Sequence, residues 1–184
     1  MKDLEQLIEK LKVFSTEGYS ASAFKAVLTF VARFYIDNLE LEKDEVAILL
    51  ADKDRMVLSF ALPEYLVDSG MIPISAPDAF ASQVFQLGRG VTENNFNQQK
   101  HLHLFELIKT PDEKIKAIWK LMGTVLKDDG EKFGVIEISR KGEAVFQTGQ
   151  DFSPENLIFL ERTIAKIAPY IRKVMPPDFK GKLA

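Results

Sequence analysis

The chain has 184 residues, of which 46% are apolar and 28% are charged. This length and balance are typical of one compact domain with a sizeable core, and they exclude a disordered chain. The formal net charge of −3 comes from interspersed acids and bases, so we expect no nucleic-acid partner. The absence of cysteine excludes disulfides, thiolate metal sites and thiol nucleophiles.

The N-terminal residues do not have the charged and apolar regions of a secretion signal. No apolar run approaches the roughly 20 residues that a membrane-spanning helix needs. We therefore expect a cytoplasmic protein with no membrane partner.

Two helices are predicted at the start of the chain. Leu4, Leu7, Leu11 and Phe14 recur at helical spacing and give a short amphipathic helix within residues 1–18. A second helix starts after Ser20 or Ser22 and runs to about residue 38. Because this second helix has only a narrow polar stripe, we expect it to be covered on two sides.

Short apolar runs predict strands. Residues 46–51 are continuously apolar, as in a buried central strand, and residues 56–62 form a second strand that ends at Pro63. Residues 114–126 and 133–139 predict two more strands, joined by the turn sequence Asp128-Asp129-Gly130. Adjacent antiparallel strands are expected here.

The segment between these strand pairs is irregular. Ile72-Pro73-Ile74 is expected to be extended, a helix is predicted over residues 77–87, and the glycines around Arg89 are expected to end it. Residues 93–99 are predicted as loop, and residues 101–109 fit either a helix or a strand. Long irregular crossings in compact domains tend to carry function.

The last helix has a clear start, with Ser153 as N-cap, Pro154 at the first position, and Phe152 and Leu157 placed for a hydrophobic staple. Pro169 is expected to kink this helix. The residues from 178 onward are expected to form a frayed tail. The apolar positions of the last helix follow a heptad seam that fits packing within one chain or across a two-fold axis. These positions are Leu157, Leu160, Ile164, Ile167, Ile171 and Val174.

Three segments together resemble the GAF domain family. They are Ile72-Pro73-Ile74 leading to a helix and Gly88-Arg89-Gly90-Val91, the strand Gly134-Val135-Ile136-Glu137-Ile138, and Phe152-Ser153-Pro154-Glu155-Asn156-Leu157. The resemblance implies an α+β fold with a central antiparallel sheet of about six strands. The N- and C-terminal helices pack on one face, and a crossing loop and helix cover the other. The expected organisation is one domain: an N-terminal helix (1–18), a GAF-like core (20–174) and a tail (175–184).

The resemblance also implies a function. GAF domains serve as small-molecule sensors or as dimerisation elements, and their pocket lies under the crossing. The lack of cysteine is unlike members that attach bilins or reduce methionine sulfoxide through thiols, and no Asn-Lys-x-Asp-Glu-like signature of cyclic-nucleotide binding is present. We expect a module that senses a small molecule or relays a signal, without catalytic activity, acting as a homodimer with a downstream protein partner. The alternative is an interaction or dimerisation module with a plugged, ligand-free pocket.

Candidate ligand-binding residues are few. His101 and His103 are the only imidazoles, and an extended segment would place both on one side, as a metal or haem ligand pair requires. The other interpretation of the two histidines is a pocket rim or surface position. Arg89 is placed to reach an anionic ligand, or it is a solvated residue beside a helix C-cap.

Aromatic residues, including Phe60, Phe96 and Trp119, are candidates for the wall of an apolar pocket, although such residues often serve only as core. Serines have no accompanying histidine and acid, and the paired aspartates lie in predicted turns. We expect no catalytic residues, no metal and no cofactor.

Overall fold

The computed structural model describes residues 3–96 and 116–180. Within them lie four α-helices and six β-strands, with 3-10 turns at Glu64–Leu66 and Val145–Gln147. In chain order the elements are α1 (Leu4–Ser15), α2 (Ala21–Leu39), β1 (Val46–Ala51), β2 (Val57–Leu62), β3 (Met71–Pro73), α3 (Phe80–Leu87), β4 (Val91–Glu93), β5 (Ala117–Asp128), β6 (Glu131–Gly142) and α4 (Pro154–Val174).

The first two helices begin at side-chain caps. Asp3 accepts hydrogen bonds from the backbone N–H groups of Glu5 and Gln6 at the start of α1, and Ser20 accepts one from Ala23 at the start of α2. Each cap satisfies a backbone donor that the first turn of a helix leaves unpaired. Both helices agree with their predicted bounds.

Among the described residues, no helix combines the length and apolarity that a membrane crossing requires.

The six strands form one antiparallel sheet in the order β3-β2-β1-β6-β5-β4. The hairpin of β5 and β6 turns at Asp129 and Gly130, whose φ angles are 47° and 80°. Two successive positive φ values define the type I′ turn that matches strand twist. The α+β fold with an antiparallel sheet of six strands is therefore confirmed, and both strands of this hairpin extend beyond their predicted C-terminal ends.

Side chains alternate along each strand between two apolar clusters on opposite sides of the sheet. On β1, Ile48 and Leu50 face the first cluster, whereas Leu49 and Ala51 face the second. The first cluster, called the helix-side core here, contains apolar residues of α1, α2 and α4. The second, the far-face core, contains Phe80, Ala81, Val84 and Phe85 of α3 together with Phe96. The terminal helices thus cover one face, and part of the crossing covers the other.

Two predictions in the crossing are wrong in detail. Residues 91–93 form strand β4, paired with Leu121–Gly123 of β5, although Glu93 was predicted as loop. This short strand has no periodicity of its own and is held by the edge of β5. Helix α3 begins at Phe80 rather than at residue 77, because Ala79 is extended and residues 73–76 make a turn with a hydrogen bond from Ala76 to Pro73.

Helix α4 starts at the predicted cap, where Ser153 and Asn156 bond reciprocally. Its heptad seam is occupied within the chain, since the seam residues pack in the helix-side core against α1 and α2. The prediction of a frayed tail from residue 178 onward is wrong at Phe179. This ring is buried 6.4 Å from the ring of Phe24, because a turn at Pro176 bends the chain back onto α2.

Candidate functional site

A carboxylate stands near the middle of the far face of the sheet. Glu137 lies on β6 between Ile136 and Ile138, whose side chains both point into the helix-side core. Alternation therefore directs Glu137 to the far face. Its partners across the two neighbouring strands are Ala47 of β1 and Gly123 of β5. The alanine on β1 covers little of the carboxylate, whereas the ring of Phe80 occupies the side of Gly123.

Gly123 allows α3 to approach the sheet closely. A Cβ built at Gly123 would lie 2.9 Å from Cε1 of Phe80 and 3.7 Å from Cγ of Glu137. The Phe80 ring thus rests directly on the backbone of β5 beside the stem of Glu137. Any larger residue at position 123 would push this ring away from the sheet.

The far-face core contains several aromatic side chains. Phe60, Phe80 and Phe96 are buried in it, and Tyr65 packs against it. The rings of Phe80 and Phe96 meet edge to face, with centroids 6.2 Å apart. Aromatic faces beside one acidic group are typical of small-molecule sites, which are mostly apolar with a few placed polar groups.

Glu137 has no bonded partner in the described part of the chain: no hydrogen bond or ion pair to its carboxylate occurs within residues 3–96 and 116–180. Burial raises the pKa of Glu137 to about 7, and the positive charge of Lys141 opposes this rise. Lys141 itself is paired with Asp44, with Nζ and Oδ2 3.3 Å apart. Burial, with a smaller effect from Asp44, raises the pKa of Tyr65 to about 12.

The structure brings some of the sequence-predicted residues to this site. Phe60 and Phe96 belong to the far-face core. Trp119, on β5, is half-buried and donates its indole N–H to the carbonyl of Gly142 at 3.0 Å. Arg89 is exposed, and the hydrogen bond found for it runs to the carbonyl of the adjacent Gly90 at 3.5 Å. Arg89 thus follows the left-handed C-cap Gly88.

His101 and His103 lie outside the described residues. Within the described ranges, no group of three or more His, Asp or Glu side chains is arranged to hold a metal ion.

Glu137, Ala47 and Gly123 were not among the predicted site residues. A signal was present: Glu137 interrupts the apolar run of a strand that was expected to be paired. A charged residue at a position with covered faces on both sides requires an explanation.

Two surface cavities lie elsewhere in the fold. One, of about 340 Å³, is bounded by the β1–β2 turn, the C-terminal end of α4 and Phe179. The other, of about 400 Å³, lies at the C-terminal end of β6, between the residues just before β1 and those of 142–149. Both are lined by mixed charges, including Arg172 with Glu131 in the first and Lys141 with Glu45 in the second.

Comparison with solved structures gives the class of the fold. The GAF domain of an Acinetobacter phosphoenolpyruvate-protein phosphotransferase superposes with a TM-score of 0.62 at 15% identity, covering 93% of this chain and 94% of that one. The A. aeolicus nlh2 GAF domain in an inactive state gives a TM-score of 0.56 at 19% identity, covering 92% and 93%. No protein-family model matches the chain, and no curated protein sequence is significantly similar. The fold is that of GAF domains, as the resemblance implied.

The comparisons also correct one expectation. A free methionine-R-sulfoxide reductase from Neisseria meningitidis, solved with its substrate, superposes with a TM-score of 0.61 at 13% identity, covering 92% of this chain and 89% of that one. Enzymes of the same kind from Thermoplasma acidophilum and Staphylococcus aureus also match. The expectation that this chain is not an enzyme is therefore wrong as an inference from its fold, since the same fold carries catalysis in these proteins.

Proposed function

We propose that the chain is a sensory module of the GAF type that binds a small molecule on the far face of its sheet. The observation that supports this most is Glu137, a carboxylate held between Ala47 and Gly123 with no bonded partner among the described residues. A half-buried acid without a partner lowers the stability of a fold, and such acids are concentrated at functional sites. A ligand that pairs with the acid would account for its position.

The chemistry of the site favours a ligand with a positively charged donor. A carboxylate in a partly desolvated site binds an ammonium or amidinium group by a charge-assisted hydrogen bond. Phe60, Phe80 and Phe96 of the far-face core provide the apolar surroundings of such a site. Lys141 is already paired with Asp44, so Glu137 is left to select the charge of the ligand.

A screen with paired compounds tests this function. Primary amines and their N-acetylated forms differ in charge, so each pair isolates the ionic contact. We expect some amines, but not their acetylated partners, to raise the melting temperature of the wild-type protein. Glu137→Gln should abolish the rise, and the exposed acid Glu155 provides the control substitution Glu155→Gln. Amines that stabilise Glu137→Gln as strongly as the wild type would rule out the proposed site.

Native mass spectrometry of the freshly purified protein provides an independent measurement. Extra mass that is lost on denaturation identifies a retained ligand. Ala47→Leu, which fills the space beside Glu137, should prevent its retention, whereas Ile48→Val on the opposite face of β1 should not.

A second candidate function is that of an interaction module, and Phe146 favours it. The side chain of Phe146 is 83% exposed and that of the adjacent Val145 is 49% exposed, in a loop where Gln147 accepts from the backbone N–H groups of Glu143 and Ala144. Adjacent exposed apolar side chains are candidates for a protein-binding contact. Loss of a co-purifying protein on Phe146→Ser, with an unchanged melting temperature, would support this function.

We further propose that the protein is a homodimer with a downstream protein partner. The seam of α4 is used within the chain, so the dimer surface should lie elsewhere on the helical layer. Val13, 72% exposed, and Phe14 near the end of α1 are the apolar residues there that we expect to be covered. Light scattering at micromolar concentration should give a dimer mass, and Val13→Lys should reduce it. A monomer mass for the wild type would contradict this proposal.

A further inference from the structure

The segment that follows α3 is bonded to the start of α4. Asn94, just after β4, donates its side-chain amide to the carbonyl of Phe152 at 3.1 Å. The backbone N–H of Phe152 in turn donates to Oδ1 of Asn94 at 2.9 Å. Phe152 is buried and directly precedes the N-cap Ser153. One side chain of the crossing therefore satisfies both backbone groups of the residue from which α4 starts.

A second contact lies about two turns further along α4. The backbone N–H of Gly90 donates to Oε1 of Glu161 at 2.7 Å. A Cβ at Gly90 would lie 2.7 Å from both this oxygen and Cδ1 of Leu157. The backbone of the crossing thus rests on α4 with no space for a side chain between them.

The same segment reaches the proposed ligand site. Phe96 follows Asn94 by two residues and packs edge to face on Phe80, the ring that lies beside Glu137 and Gly123. The other end of α3 is anchored, because Lys127 donates to the carbonyl of Gly88 at 2.6 Å and Lys132 to that of Phe85 at 2.8 Å. Because this end of α3 is held, a displacement of Phe80 reaches the neighbourhood of Asn94 through the ring of Phe96 rather than along the helix.

We propose that Asn94 couples the far-face site to α4. Movement of Phe80 and Phe96 breaks or strengthens the two hydrogen bonds between Asn94 and Phe152, and this changes the stability of the first turns of α4. The contact between Gly90 and Glu161 stays in place as the pivot. This inference rests on the proposed ligand site for its biological role. The coupling itself requires two arrangements of Asn94, the bonded one of this structure and a released one, with the balance between them set by the site. Since α4 packs on α1 and α2, such a change reaches the whole helical layer.

Amide hydrogen exchange tests the coupling without a ligand, because a substitution in the far-face core can disturb the site instead. Phe80→Leu disturbs the site side, and we expect it to raise the exchange rates of amides 155–161 at least ten-fold more than those of α2. Leu58→Ala, in the same far-face core but paired with Ile72 of β3, is the control and should lack this preference for α4. The effect of Phe80→Leu should disappear in the background of Asn94→Ala, which gives a double-mutant cycle.

Two further variants keep the test decisive. Asn94→Asp retains the acceptor for the Phe152 N–H and is used if Asn94→Ala does not fold. Glu161→Gln also retains an acceptor, for Gly90, and should preserve the coupling that Glu161→Ala weakens. Equal and additive effects of Phe80→Leu and Asn94→Ala on α4 would overturn the coupling. No ligand is needed, so failure of the amine screen with an intact cycle would refute only the proposed function.

Discussion

The phenolic oxygen of Tyr35 on α2 lies 2.8 Å from the hydroxyl oxygen of Thr163 on α4, inside the helix-side core. Burial raises the pKa of Tyr35, and the bond to Thr163 opposes that rise. Thr163 has further acceptors in the backbone carbonyls of Phe159 and Leu160, at 2.7 and 3.2 Å. Among the described residues, the Tyr35 hydroxyl has its hydrogen bond with Thr163, whereas the Thr163 hydroxyl also has backbone carbonyl partners.

This asymmetry predicts unequal mutant stabilities. Tyr35→Phe should cost about 1 kcal/mol or less of the free energy of unfolding, because Thr163 keeps backbone partners. Thr163→Val leaves the buried phenol unpaired and should cost about 2 kcal/mol. Urea denaturation of both variants, with the double variant, measures the difference. A larger cost for Tyr35→Phe than for Thr163→Val would contradict the bonding described here.

Gly134 should tolerate no side chain. A Cβ there would overlap the carbonyl oxygen of Leu49 and lie 2.9 Å from Cδ2 of Leu50, so β1 and β6 would have to separate. We expect Gly134→Ala to lower the free energy of unfolding by about 3 kcal/mol. Gly130 has a φ of 80° with no atom near its Cβ position, so Gly130→Asn should cost less than about 1 kcal/mol. Thermal denaturation of the two variants should preserve this order.

The docked end of the chain gives a third prediction. Phe179 is buried against Phe24, so Phe179→Ala should reduce the free energy of unfolding by about 3 kcal/mol. Lys180 is exposed, and Lys180→Ala should have almost no effect. If removal of the Phe179 ring leaves the urea midpoint unchanged, the end of the chain does not contribute to the core.

The sequence predicted the elements whose signals are local. The cap at Ser153, the turn at Asp129-Gly130 and the buried run 46–51 depend on neighbouring residues, and each occurs where expected. The elements that depend on distant partners were less accessible. Strand β4 exists because the edge of β5 pairs with it, and Phe179 is buried because Phe24 lies opposite. Neither partner is visible from residues 91–93 or 176–180 alone.

The site was predicted less well than the fold for the same reason. Aromatic composition was sufficient to propose Phe60 and Phe96 as wall residues. The space beside Glu137 depends on the register that sets Ala47 and Gly123 opposite it, and register cannot be read from one strand. Likewise, Asn94 became informative only once the fold placed it beside Phe152, 58 positions later in the chain.

The pH dependence of stability should report on Glu137. Burial raises the pKa of this carboxyl from its ordinary 4.5 to about 7, so between these pH values the folded protein holds a proton that the unfolded chain releases. The free energy of unfolding should therefore fall as the pH rises from 4.5 to 7, by up to roughly 3 kcal/mol, and then level off.

Glu137→Gln should remove this part of the pH dependence and make the protein more stable than the wild type above pH 7. Burial also raises the pKa of Glu45, which adds a change of the same sign, but that contribution is present in both proteins and cancels in the comparison. Urea denaturation at pH 5, 6, 7 and 8 supplies the two curves. Parallel curves would mean that Glu137 is solvated like an ordinary surface acid, and a bound amine at this site would then gain little from its charge.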